Sequence, residues 1–132
     1  VHASTSVPEL RLTNLLGDMG SSTPKANTLY RENIIKAWVN YNSNATIRIA
    51  DAFNVSSLVD VSEGVTDVNW AVAFSNKHYA TASLCSQAAA NCIVLLNSDL
   101  ANFTTTAARF NSTNLAGTAQ DAIVQIIAVG DQ

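Results

Sequence analysis

The sequence predicts an all-β protein: an antiparallel β-sandwich, jelly-roll-like, with an extended N-terminal arm. Three observations carry this. Short runs of branched and aromatic residues recur at close intervals, and clusters of Asn, Ser, Asp and Gly separate them. That spacing fits a sandwich or barrel rather than helix-connected parallel strands. The chain has 132 residues, enough for one domain with a core of its own.

The arm comes first. Residues 1–8 are small, polar and unpatterned, and Pro8 biases Val7 towards an extended backbone. In Glu9-Leu10-Arg11-Leu12-Thr13-Asn14-Leu15 the apolar positions 10, 12 and 15 give a short strand, ended by the turn-forming residues 17–24. Gly17 and Gly20 are no phosphate loop, because no Gly-Lys-Ser/Thr follows them. Residues 1–26 therefore read as the arm and 27–132 as the sandwich. An arm too short to bury a core, yet carrying Leu10, Leu12, Leu15 and Leu16, is expected to anchor through those leucines on neighbouring subunits or on the body of a larger particle.

Strands are expected at 34–41, 46–49, 65–72, 79–85, 92–96, 103–110 and 122–129. The clearest is 65–72, where Val68, Trp70 and Val72 share one face. Residues 98–106 are the best helix candidate, weakened by Thr104-Thr105-Thr106. The strands 34–41 and 122–129 are apolar on both faces, whereas a sandwich in water normally leaves one face polar. A covering loop or burial against identical subunits would account for this, and the oligomer is the favoured expectation.

Composition limits the chemistry. Charged residues make up only 13%, so Asn, Ser and Thr must supply the polar surface. Net charge is −3 and Lys and Arg are scattered, which argues against nucleic-acid binding. No apolar run approaches the ~20 residues of a membrane span, and the opening residues have no signal-peptide pattern. His2 and His78 lie in no nucleophile motif, and Asp60, Glu63 and Asp67 read as a solvated hairpin tip without calcium-loop spacing. No enzymatic activity, metal or cofactor is expected. Asn44, Asn54, Asn102 and Asn111 begin Asn-x-Ser/Thr triplets, which arise by chance in so Asn- and Ser-rich a chain. Cys85 and Cys92 either bridge across one hairpin loop or remain two half-buried thiols. Trp38 and Trp70 read as core residues, and Tyr30, Tyr41 and Tyr79 as candidates for exposed, ligand-facing rings.

The stretch Ile35-Lys36-Ala37-Trp38-Val39-Asn40-Tyr41-Asn42, through Thr46-Ile47-Arg48-Ile49 to Phe53-Asn54-Val55-Ser56-Ser57-Leu58, resembles a recurrent module of phage tail-fibre proteins. Asn76-Lys77-His78-Tyr79-Ala80 and the closing Gly117-Thr118-Ala119 with 123–130 echo later parts of it. The opening strand is similar to that of small virion proteins of marine and cyanobacterial phages. The Cys85–Cys92 segment falls outside the pattern, and Ser43-Asn44 stands where the family's turn usually carries glycine. The resemblance implies a structural virion protein on a tail or capsid surface, assembled as a homotrimer. It also implies contacts with other virion proteins and with a host surface glycan. A free-standing carbohydrate-binding module is the alternative.

Overall fold

The computed structural model describes residues 34–87 and 91–132. The candidate anchors Leu10, Leu12, Leu15 and Leu16, Tyr30 and the boundary at 26/27 lie outside the described residues. Eight strands follow in order: β1 (Ile35–Asn42), β2 (Arg48–Phe53), β3 (Val55–Ser62), β4 (Val65–Trp70), β5 (Ala80–Ser86), β6 (Cys92–Leu96), β7 (Ala107–Asn114) and β8 (Ile123–Val129). They form two antiparallel four-stranded sheets, ordered β2-β1-β8-β5 and β3-β4-β7-β6. The fold is the all-β sandwich that the sequence predicts. The first and last strands of the described residues, β1 and β8, lie side by side at the centre of one sheet.

Alternation builds the core. Ala37, Val39 and Tyr41 of β1 and Val124, Ile126 and Ala128 of β8 face inward from the first sheet. Thr66, Val68 and Trp70 of β4 and Ala108, Phe110 and Ser112 of β7 answer them from the second. Each fully buried Val, Ile or Phe contributes about 1.5–3 kcal/mol. Ser43 closes the end of the β1–β8 ladder: its Oγ donates to the Ala122 carbonyl at 3.1 Å and accepts from the Ala122 N–H at 3.0 Å. An aromatic cluster closes the other end. Tyr79 stacks on Phe74 and Phe103, with centroids 4.0 and 4.3 Å away, and meets Trp70 edge to face.

Several elements differ from expectation. β4 ends at Trp70, so Val72, expected on the buried face of that strand, is 59% exposed. The chain passes from sheet to sheet through one residue, Asn54, so β2 runs to Phe53 and β3, which the sequence pattern does not announce, starts at Val55. Asn54 sits at φ +56°, a left-handed conformation that Asn tolerates. Its amide donates to the Lys36 carbonyl at 3.1 Å, and its Oδ1 accepts from the Val72 N–H at 2.6 Å. β7 begins at Ala107 rather than 103, because Thr104 Oγ1 accepts the N–H groups of Thr106 and Ala107 in a local turn. Of the helix candidate 98–106, one 3-10 turn forms, Leu100–Asn102, capped by Asp99.

Candidate functional site

The exposed-tyrosine expectation is overturned for both tyrosines that the structure describes. Tyr41 is 2% exposed and Tyr79 5%. Tyr41 shares the inward parity of Ala37 and Val39, so strand alternation carries it into the core. Trp38, expected in the core, has the opposite parity and lies half-buried on the outer face. Trp70, at 5% exposure, is a core residue as expected.

Burial pushes the Tyr41 hydroxyl up to about 12, partly offset by a side-chain hydrogen bond with Thr66. Below pH 10 folded and unfolded chains both keep this proton. Between about pH 10 and 12 only the unfolded chain releases it, so stability falls by roughly 2–3 kcal/mol as pH rises through that window. Urea unfolding at pH 9 and pH 11.5 should show this loss, reduced in Tyr41→Phe. An equal loss in both proteins would place the alkaline titration elsewhere.

Cys85 and Cys92 are disulfide-bonded, with Cα atoms 5.9 Å apart. They do not flank a hairpin within one sheet. Cys85 is the last but one residue of β5, the edge of the first sheet, and Cys92 begins β6, the edge of the second, so the bond staples the two sheets together. Closing so short a loop stabilises by about 2.5 kcal/mol in the chain-entropy model.

The two solvent faces of the sandwich differ in chemistry. On the second sheet the central strands are polar. Arg109 Nε and Nη2 reach Asp67 at 2.6 and 2.8 Å, Asn69 donates to Ser57 at 3.0 Å, and Asn97 to Asn111 at 3.0 Å. Bidentate pairing of this kind suits a hydrated surface.

On the first sheet the register sets Phe53, Trp38, Ile127 and Ala82 in one row across all four strands. Asp51, Asn40, Gln125 and Leu84 form the next row, and Arg48, Asn42, Ile123 and Ser86 the one beyond. Phe53 is 55% exposed, Leu84 72%, and Ile123 and Ile127 each 42%. Two shallow depressions of about 270 and 370 Å³ lie on either side of Asn40, one against Trp38 and Ile127, the other against Arg48 and Ile123. β1 and β8, the strands read as apolar on both faces, are thus neighbours in one sheet. Phe53 extends the apolar row onto β2, and Leu84 stands in the next row on β5. The alternation of Ala80, Ala82 and Leu84 against Thr81, Ser83 and Cys85 was the available signal for Leu84.

Among the described residues no group of three or more His, Cys, Asp or Glu is placed to hold a metal ion. Asp67 is drawn into its pair with Arg109, and Asp60 and Glu63 are exposed. His78 lies in an exposed turn, its backbone N–H donating to Asn76 Oδ1 at 2.8 Å. Among the described residues no helix is long and apolar enough to cross a membrane.

The fold and surface together define a class: a disulfide-stapled antiparallel sandwich with a polar centre on the outer face of one sheet and an apolar row across that of the other. No family model, curated protein or solved structure matches the chain.

Proposed function

We propose that this protein is a non-enzymatic structural component of a tailed-phage virion. It serves as a tail-fibre or capsid-fibre element, assembles with copies of itself and with other virion proteins, and turns its loops outward towards the host surface. The observation that carries the assembly reading is the row Phe53–Trp38–Ile127–Ala82, an apolar stripe across a sheet face that water would otherwise cover. The tail-fibre resemblance of residues 35–58 supplies the virion setting and the trimer. The Cys85–Cys92 bond suits a protein that works outside a reducing cytosol.

Sedimentation equilibrium at micromolar concentration tests the reading. A species of three times the 14.0 kDa chain mass is expected. A monomer at all concentrations up to about 100 µM would remove the self-assembly on which the reading rests.

One observation favours a second reading, a glycan-binding module. Trp38 and Phe53 are direct cross-strand neighbours on a flat face, beside the hydrogen-bonding side chains of Asn40 and Asp51. A ring platform flanked by such groups can stack a sugar and bind its hydroxyls. That module would be a monomer retained on a glycan column.

A further inference from the structure

We infer that the Cys85–Cys92 bond is a redox latch on one side of the sandwich. Closed, it holds two bare strand edges against each other. Reduced, it lets β6 open from β7 while the other strands stay folded. The device belongs to the fold and does not depend on what the chain assembles with.

The four edge strands are not alike. β2 carries Arg48 and Asp51, and its register with β1 shifts between Asn40 and Tyr41. β3 carries Asp60, and its register with β4 shifts twice. Charges and bulges of this kind keep an edge from pairing with other chains. β5 and β6 carry no charged residue, and each pairs with its neighbour in unbroken register. These two edges lack the protection that the others have.

The seam between them is what covers them. β5 and β6 belong to different sheets and share no ladder. On its inner edge β6 leads into Asn97, whose N–H donates to the Arg109 carbonyl of β7 at 2.9 Å. On its outer edge the Val94 carbonyl accepts from Ser83 Oγ of β5, at a long 3.4 Å. The disulfide is the covalent tie across this seam. The opposite side of the sandwich needs none, because β2 and β3 are joined there through Asn54, itself bonded to Lys36 and Val72.

Burial decides which part yields when the bond is cut. β1, β4, β7 and β8 each bury three residues. β6 buries Val94 alone, and its Ile93, Leu95 and Leu96 are between 39% and 55% exposed. A strand with so little burial opens locally at a lower free energy than the core does. Neither Cys85 nor Cys92 is buried, so a small dithiol can reach them. Its thiolate attacks one sulfur and releases the other cysteine as a thiol, and its second thiol then releases the first. The bond takes up two electrons and two protons, and the dithiol becomes a cyclic disulfide.

Hydrogen exchange followed by mass spectrometry tests the latch on the full chain. Three samples are compared: oxidised, reduced with dithiothreitol, and the Cys85→Ser/Cys92→Ser double variant. Losing the bond speeds exchange in every strand to the extent that global stability falls. Peptides spanning residues 92–97 should speed up at least tenfold more than peptides within β1, β4 and β8. The double variant should match the reduced chain and ignore dithiothreitol, which assigns the effect to this bond. If residues 92–97 stay as protected without the bond as with it, the seam holds unaided and the inference falls. Equal acceleration in all strands, or a double variant that does not fold, would make the bond a global stabiliser and not a latch. Two titratable thiols in the air-oxidised chain would remove the latch altogether.

Discussion

Alanine at Gly64 should lower the unfolding free energy by about 3–5 kcal/mol, the sum of two independent penalties. Gly64 turns the β3–β4 hairpin at φ +68°, a conformation that costs a residue with a Cβ about 1–2 kcal/mol. A Cβ there would also press into the Ser112 backbone carbonyl and lie 2.8 Å from the Gln120 backbone nitrogen. Neither group can rotate away, because both belong to a locked junction. The Ser112 N–H donates to the Gly64 carbonyl at 2.7 Å, the Gly64 N–H to Asp121 Oδ1 at 3.0 Å, and the Gln120 N–H to the Ser112 carbonyl at 3.0 Å. Hairpin tip, β7 and the approach to β8 are held at that point, so relieving the clash must open at least one of these bonds. Gly117→Ala is the control. Gly117 has φ +82° but no atom within 4 Å of its would-be Cβ, so it should show only the conformational cost, about 1 kcal/mol. Urea denaturation of the two variants separates the penalties. Equal losses would show that the junction yields, and that backbone conformation alone explains the glycine.

The strands whose alternation reports burial were legible in the sequence. β4 and β8 alternate between buried and more exposed positions residue by residue, and their spans were nearly right. β2 and β3 are edge strands with scarcely a buried residue between them, so burial left no period in Arg48–Phe53 or Val55–Ser62 to read. Asn54 hid the boundary further, since a one-residue crossing between sheets has none of the usual loop composition. Residue type points the tyrosines outward, whereas parity with Val39 places Tyr41 inside. Parity likewise places Trp38 outside, where its size argued for the core. Of the candidate face, the double apolarity of β1 and β8 was visible. Their adjacency was not, because pairs such as Trp38 with Ile127 join the two ends of the described chain, a relation that no local pattern encodes.

Trp70→Ala should cost about 3–5 kcal/mol, a large part of the 5–15 kcal/mol that holds a domain of this size together. The indole is 5% exposed at the end of β4. It meets Phe74 and Tyr79 edge to face with centroids 5.7 and 6.0 Å away, so its removal leaves a cavity bounded by rings that are themselves packed. Collapse into that cavity is restricted. Gly130 lies against Tyr79 so closely that a Cβ there would be 2.9 Å from the Tyr79 Cα. Tyr79 is in turn tethered through its hydroxyl, which donates to the Thr104 carbonyl at 2.8 Å and accepts from Trp70 Nε1 at 3.1 Å. The alanine variant therefore loses apolar burial and removes the hydrogen bond that the Tyr79 oxygen accepts. Trp70→Phe should keep most of the packing and lose that bond and the bulk of the second ring, for about 1–2 kcal/mol. Thermal melts followed by circular dichroism, paired with urea unfolding at neutral pH, give both values. An alanine variant that melts with the wild type would mean that the Trp70–Tyr79 cluster does not hold the two sheets together. An alanine loss no larger than the phenylalanine loss would place the energy in the hydrogen bond rather than in the packed rings.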